Sequence, residues 1–280
     1  MTPALPPARK RLGQHFLVDP NIVRKIVALA ELRPDETVFE IGPGRGVLTH
    51  ALCAEAKRVM AVELDVQLGE YLRETIRDCR NLDLRLGDAL EFPYEELPEG
   101  TVVVANLPYY VSTPLLFKLL EARRKIDRMV LMLQTEVARR LVAQPGTEDY
   151  GILSVLTQYA AVAKLAFTVS ANCFRPRPDV GSSVVSLALR RQPALVVQDE
   201  AWFVRTVRAS FAHRRKTLAN SLRDEGLPQD RIMPALAQAG IDPRRRAETL
   251  TLREFSALAE GLSGAEPGAK LPADKLPSDG

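Results

Sequence analysis

The sequence predicts an α/β protein, a doubly wound and mostly parallel sheet followed by a small all-helical domain. Three observations carry this reading. From Thr37 to about Arg191, short apolar runs alternate with amphipathic stretches, the pattern of strands joined by crossover helices. A glycine-rich turn, Gly42-Pro43-Gly44-Arg45-Gly46, directly follows the first of those runs, as a strand-to-helix turn requires. After Gln192-Pro193 the alternation stops and helical periodicity takes over.

In chain order, strands are expected at Thr37–Ile41, Arg58–Glu63, Asn81–Leu86, Thr101–Asn106, Asp127–Gln134, Lys164–Val169 and Ser182–Arg190. Helical patterns lie at Asn21–Leu32, Val47–Ala54, Val66–Arg77, Pro114–Ala122 and Thr135–Val142. The last two strands are joined by a short Pro-rich link. Such a link cannot make a parallel crossover, so these strands form an antiparallel pair. Further on, helices are expected at Ala201–Phe211, Lys216–Leu222, Gln229–Ala239 and Leu252–Leu262, punctuated by Pro228, Gly240 and Pro243. The domains are thus residues 1–192, with 1–20 as an N-terminal segment, then helical residues 193–262. Residues 263–280, rich in Gly, Pro, Ala and charge, read as a disordered tail. Trp202 is expected in the core of the helical domain, and His50 as a surface or packing residue.

No apolar run approaches the roughly 18 residues of a membrane span. The basic Arg9-Lys10-Arg11 is followed by no apolar stretch, which argues against a secretory signal. The three cysteines, Cys53, Cys79 and Cys173, are odd in number and widely spaced. They fit neither a disulfide framework nor a zinc site, so no metal is expected and a reducing cytoplasm is the simple reading. Net charge is only +3, yet eleven Lys/Arg and five Asp/Glu lie between Arg205 and Arg253. Arg214-Arg215-Lys216 and Arg244-Arg245-Arg246 supply most of that excess. They are candidate phosphate contacts, or else a solvated helix face.

Glycines in the turn after the first strand let the backbone approach a ligand closely, and free helix N–H groups favour an anionic group. A dinucleotide fingerprint places glycines at its first, third and sixth positions. Here they fall at the first, third and fifth (Gly42, Gly44, Gly46), with Val47 sixth. That spacing better suits S-adenosylmethionine, whose carboxylate replaces a pyrophosphate. Glu63, closing the second strand, is placed to accept from both ribose hydroxyls, which by itself does not exclude NAD. Asp88, after the third strand, is placed to accept from an adenine amino group.

The sharpest motif is Asn106-Leu107-Pro108-Tyr109, directly after the fourth strand. The exocyclic nitrogen of adenine is a poor nucleophile because its lone pair is delocalised into the ring. Acceptors aimed at its two N–H groups draw it toward a pyramidal, more reactive geometry. The Asn106 side-chain oxygen and the Leu107 carbonyl are suitable, Pro108 fixes the loop, and Tyr109 can stack on the base. The alternative is a turn with a packed tyrosine.

With these motifs the sequence resembles the ribosomal RNA adenine N6,N6-dimethyltransferases, specifically the KsgA-type small-subunit enzymes, from about Arg9 to Leu262. Lys10-Arg11-Leu12-Gly13-Gln14-His15-Phe16-Leu17 is similar to the family's opening motif, which implies that His15 and Leu17 contact S-adenosylmethionine. The family often has asparagine where His15 stands. Phe174-Arg175-Pro176-Arg177-Pro178-Asp179-Val180-Gly181-Ser182 resembles a second signature, which implies that Phe174 forms the wall of the target-base pocket opposite Tyr109. Phe211 to Leu222 resembles the small-subunit enzymes more than their large-subunit relatives, although His213 and Ala219 depart from the pattern.

The resemblance implies a Rossmann-like class I methyltransferase sheet with S-adenosyl-L-methionine as cofactor. It implies dimethylation of two adjacent adenosines in a hairpin loop near the 3′ end of small-subunit ribosomal RNA. The partner would be an immature 30S-type subunit, met in the cytoplasm by a monomer. The alternatives are a large-subunit RNA methylase, a catalytically silent ribosome assembly factor, and an NAD-dependent oxidoreductase. Val47 and the Asn106–Tyr109 motif argue against the last.

Overall fold

The computed structural model describes residues 5–9 and 12–263. Lys10 and Arg11 of the N-terminal motif and the tail from residue 264 lie outside the described residues, while Ser263 closes the last helix. The chain divides into two compact units, the first ending at Val196 and the second beginning at Val197.

The first unit runs β1 (Phe16–Leu17), α1 (Pro20–Ala30), β2 (Thr37–Ile41), α2 (Val47–Glu55), β3 (Arg58–Glu63), α3 (Val66–Thr75) and β4 (Leu82–Leu86). It continues through β5 (Thr101–Asn106), α4 (Ser112–Glu121), β6 (Ile126–Gln134), α5 (Thr135–Val142) and α6 (Ile152–Ala160). It closes with β7 (Ala161–Val169), β8 (Phe174–Arg175) and β9 (Ser182–Leu189). Seven strands form one sheet in the order β4-β3-β2-β5-β6-β9-β7. Neighbours from β4 to β6 pair in parallel, and β9 runs antiparallel to both β6 and β7. The expected sheet, mostly parallel with an antiparallel C-terminal strand, is what the chain forms.

Helices cover both faces of such a sheet, so its central strands must be apolar on both sides. Val38 and Phe39 of β2, Val102 to Ala105 of β5 and Met129 to Leu133 of β6 are all fully buried. The edge strand β4 instead alternates, and its Asp83 and Arg85 pair with Arg58 and Glu96. Charge there discourages pairing with another chain. From β2 the chain steps to β3 and β4 on one side, then returns to β5 on the other. The loops after β2 and β5 therefore diverge and leave a crevice at their C-terminal ends, the switch point where ligands bind in open α/β sheets.

Helix α6 has no counterpart in the sequence expectation. Its Ile152-Leu153-Ser154-Val155-Leu156 lacks a polar face because most of the helix is buried. Ser154 fixes its start: the hydroxyl accepts from the Gly151 N–H at 3.0 Å and donates to the Arg140 carbonyl at 2.6 Å. A second departure concerns the cysteines. Cys53 and Cys79, far apart in the sequence, are neighbours in the fold, and Cys79 Sγ lies 3.8 Å from His50 Nδ1.

At the sheet end opposite the crevice, Arg128 of β6 ties three segments together. Its guanidinium donates to the Ala30 and Glu31 carbonyls at the end of α1 and to both Glu36 oxygens, at 2.7 to 2.9 Å. Glu36 also accepts from the Arg33 backbone and side chain. These donors, Arg128 first, hold the Glu36 carboxyl down at about 2.

The second unit packs α10 (Leu252–Ser263) against α7 (Glu200–Phe211) and α9 (Gln229–Gln238), with α8 (Leu218–Asp224) between the latter two in sequence. Phe203, Leu218, Leu222, Phe255, Leu258 and Leu262 form its buried interior. A side-chain carbon on Gly261 would come within 2.8 Å of the Ala235 methyl, so glycine sets the close approach of α10 to α9. Trp202 is not in that interior. It is half-buried, with the Arg205 guanidinium 4.9 Å from its ring centroid. The reason is its position on α7: the buried stripe passes through Phe203, Thr206, Val207 and Ser210. Among the described residues, no helix is long and apolar enough to cross a membrane.

Removing Arg128 leaves a nearly buried carboxylate with only its Arg33 donors, so Arg128→Met is expected to cost roughly 2–4 kcal/mol of unfolding free energy at pH 7. Glu36→Gln should be destabilising too, with a pH dependence of defined sign. A depressed folded-state pKa stabilises above the unfolded value and is lost as pH falls through the folded one. The gap between wild type and Glu36→Gln in urea denaturation should therefore close between about pH 4.5 and pH 2.

Candidate active site

The strand ends at the switch point supply the site in sequence. After β2, Gly42, Gly44 and Gly46 all have positive φ. At Gly46 (φ 79°) a side-chain carbon would stand 2.4 Å from Ile76 Cδ1 and 2.6 Å from Leu72 Cδ2, so α3 can pack against the turn only if this residue is glycine. At Gly44 (φ 59°) the added carbon would be 3.1 Å from the Phe16 ring. The N-terminal segment therefore lies directly on the turn.

After β3, Glu63 is buried with both oxygens engaged. One accepts from the Gly44 N–H at 3.0 Å and the other from the Asp65 N–H at 2.9 Å. Burial pushes its carboxyl up, while those two N–H groups oppose the shift. Asp65 in turn caps α3 through Gln67 N and receives the Gln14 amide at 3.2 Å and Arg9 Nε at 3.1 Å. Behind the turn, Glu40 is fully buried, and desolvation raises its carboxyl to about 8. After β4, Asp88 is exposed and accepts from Leu90 N at 2.8 Å, which caps the short Ala89–Glu91 turn.

After β5, Asn106 donates from Nδ2 to the His15 carbonyl at 3.3 Å. Its Oδ1 is buried and has no hydrogen-bond partner. A buried acceptor left open is costly, and here it faces a pocket. Leu107 is buried, its N–H held by the Met132 carbonyl. The Tyr109 hydroxyl shares a 2.5 Å hydrogen bond with Ser182 Oγ, and burial raises its phenol. Its ring stacks on His15, with centroids 5.5 Å apart and planes 28° apart.

One pocket collects most of the expected residues: His15, Gly42, Gly44, Glu63, Asp88 and the whole Asn106–Tyr109 motif line it. The side chains of two expected residues lie outside its lining. Leu17 and Phe174 face each other in the two-residue antiparallel ladder of β1 and β8. Both are buried in the core with Val23, Ile26 and Val184. Phe174 is 0% exposed, and the ring beside Tyr109 is that of His15. The cause is strand alternation. In β1 the inward partner of the pocket is Phe16, which lines it and carries the Arg45 guanidinium 4.2 Å from its ring centroid. Phe16 was missed, although the alternation in His15-Phe16-Leu17 could have found it. Tyr110 also lines the pocket and is about half exposed.

The basic residues of the second unit divide by engagement. Lys216 pairs with Asp224, and the highly exposed Arg244 with Asp242. Arg245 is half-buried, bonded to Glu254 and to the Thr249 carbonyl ahead of α10. It serves that loop, so a phosphate would have to displace Glu254 to reach it. Arg214, Arg215 and Arg246 stand in the same two clusters.

S-adenosylmethionine fits the residues present. The glycines leave the floor open: a carbon added at Gly42 would project to 3.6 Å from the Pro108 ring. Glu63 and Asp88 sit at successive strand ends, and Asn106 offers an unused acceptor.

Comparison with known proteins agrees with this geometry. Residues 7–263 match the family described as ribosomal RNA adenine dimethylase. The chain is 47% identical over 265 residues to ribosomal RNA small subunit methyltransferase A of Moorella thermoacetica, covering 91% of this chain and 92% of that one. Its counterpart in Geobacillus kaustophilus is 46% identical over 267 residues, with 91% of each chain covered. Among solved structures, a dimethyladenosine transferase from Plasmodium falciparum superposes with TM-score 0.74 at 26% identity, covering 87% of this chain and 96% of the other. The 23S rRNA methyltransferase ErmE superposes with TM-score 0.65 at 29% identity, covering 89% and 99%.

Gly46→Ala tests how the turn is built. The strained φ and the collision with Leu72 and Ile76 should together cost roughly 2–4 kcal/mol. Calorimetric titration with S-adenosylmethionine should also show weakened binding. Unaltered stability and affinity would mean that the turn tolerates a side chain.

Proposed function

The chain belongs to the ribosomal RNA adenine dimethylase family, and from that membership we propose that it methylates small-subunit ribosomal RNA. The reaction transfers methyl groups from S-adenosylmethionine to N6 of two adjacent adenosines in a hairpin loop near the 3′ end, giving N6,N6-dimethyladenosines. The RNA is presented within an immature 30S-type subunit in the cytoplasm, and the enzyme acts as a monomer. The observation that carries this reading is the buried, unpartnered Oδ1 of Asn106 in a pocket with Tyr109. An acceptor without a donor at that point suits an amino group.

The bound cofactor supplies a methyl group on a sulfonium, an excellent leaving group. The protein's task is then placement. Gly42 and Gly44 admit the cofactor to the backbone, and Glu63 and Asp88 receive its ribose and adenine. Asn106 Oδ1 and the Leu107 carbonyl accept the two N–H groups of the target amine and turn its lone pair toward the methyl carbon. With the methyl donor bound, the nitrogen–carbon bond would form as the carbon–sulfur bond breaks, and the amine proton would leave to water. Tyr109 stacks on the base, which offsets part of the cost of drawing it from the loop. Its bond to Ser182 orients the ring. The basic residues Arg214, Arg215, Lys216, Arg244 and Arg246 meet RNA phosphates.

The test is tritiated methyl transfer to undermodified small subunits, with fully modified subunits and large-subunit RNA as controls. N6,N6-dimethyladenosine should appear on the undermodified small subunits alone; incorporation on large-subunit RNA would move the assignment to that substrate. Asn106→Ala should slow transfer by about 10²–10³-fold, in the range for loss of one preorganised polar contact. RNA binding by that variant should stay close to wild type, and undiminished turnover would remove Asn106 from the mechanism.

A further inference from the structure

We propose a second binding site, for a divalent zinc-type cation, held by His50, Asp78 and Cys79 on the outer side of α2. His50 Nδ1 lies 3.8 Å from Cys79 Sγ and 4.0 Å from an Asp78 carboxylate oxygen. Ligand atoms of these three residues all fall within 4.8 Å of one another. Cys53 neighbours Cys79 but stands outside that group, so water would fill the fourth position. The whole chain has three cysteines and three histidines, and one of each meets here.

The spacing has a physical meaning. With zinc–sulfur bonds of about 2.3 Å and zinc–nitrogen bonds of about 2.0 Å, the edge of a tetrahedral site between S and N is about 3.6 Å. The Cys79–His50 separation is already close to that value, so coordination requires only small side-chain movements. A sulfur, an imidazole nitrogen and a carboxylate oxygen are a borderline-soft donor set that suits zinc better than magnesium or calcium. His50 and Asp78 are substantially exposed, which gives the ion a path from solvent.

The backbone around these donors is fixed in advance. His50 and Cys53 stand at i and i+3 on α2, hence on one face of it. The Asp78–Cys79 turn is held by Cys79 N to the Ile76 carbonyl and Leu82 N to the Cys79 carbonyl. The Asn81 side chain then fastens that turn to α2, donating to the Cys53 and Ala56 carbonyls at 3.0 and 2.8 Å. Both sides of the site are thus bonded to each other without an ion. On binding, the Cys79 thiol releases its proton to solvent and the ion takes its place. It would bolt the end of α2 to the segment after α3, behind Gly46, where Leu72 and Ile76 already hold the two elements together.

The test uses the full chain, stripped with a chelator and kept in a non-thiol reductant, with cobalt(II) as a spectroscopic probe and zinc as competitor. About one equivalent of cobalt should give visible bands of a tetrahedral site and a near-ultraviolet thiolate charge-transfer band, both abolished by zinc. Zinc should raise the melting temperature of the wild type. Cys79→Ser and His50→Ala should weaken zinc binding by roughly tenfold or more, whereas Cys173→Ser, remote from the cluster, should leave it intact. Circular dichroism checks that each variant is folded. Absence of stoichiometric binding, or binding that survives both Cys79→Ser and His50→Ala, would overturn the site. So would a Cys53–Cys79 disulfide, seen by mass, together with no uptake after reduction.

Discussion

Glu63 accepts the backbone N–H of Gly44 with one oxygen and that of Asp65 with the other, so one buried carboxylate fixes the turns after two neighbouring strands. The rest of the ligand-facing edge hangs on this. Asp65, oriented through its own N–H, caps α3 and holds Gln14 and Arg9, which draws the N-terminal segment over the crevice. Gly44, oriented likewise, leaves room for Phe16. Burial raises the Glu63 carboxyl, and the two backbone N–H donors oppose that shift by favouring the charged form. Ribose hydroxyls would bring further donors to the same oxygens. Structural support and ligand recognition thus share one group, and a change at Glu63 must disturb both.

The two-residue ladder of β1 and β8 shows how little pairing is needed to commit a segment. Phe16 pairs with Arg175 and Leu17 with Phe174. Alternation sends Leu17 and Phe174 into the core and leaves Phe16 beside the pocket, under Arg45. His15, one residue earlier, then has its ring against Tyr109 and its carbonyl on Asn106. The N-terminal segment is therefore part of the pocket rather than a flap above it.

How much of this was legible in the sequence follows from the range of the forces involved. The sheet, the glycine turn and the Asn106–Tyr109 motif were legible because each is written in adjacent residues: apolar runs, glycines where φ is positive, and polar residues at strand ends. Helix α6 was missed because burial on all sides erased the periodicity that identifies a helix. The direction in which the Leu17 and Phe174 side chains face was not legible, because a motif gives the residue and not the side it faces. That depends on a ladder partner some 160 residues away. Trp202 was assigned to an interior on its size, yet the helical stripe runs through Phe203 instead. The meeting of His50 with Cys79 was invisible for a related reason. Ligand spacing in sequence is informative only when one turn carries the donors, whereas here a helix and a distant turn share them.

Charge in the second unit raises the same issue of locality. A count of basic residues treats Arg244 and Arg245 as equivalent neighbours, but their environments differ. Arg244 is exposed and pairs with Asp242, and solvent screening leaves such pairs little weight in stability. Exchanging that carboxylate for a phosphate therefore costs little and releases counterions from the RNA. Arg245 is half-buried and bonded to both Glu254 and the Thr249 carbonyl. Withdrawing it would leave Glu254 with fewer donors and loosen the loop that leads into α10. The sequence supplies a run of positive charge; the fold decides which of those charges can leave their partners.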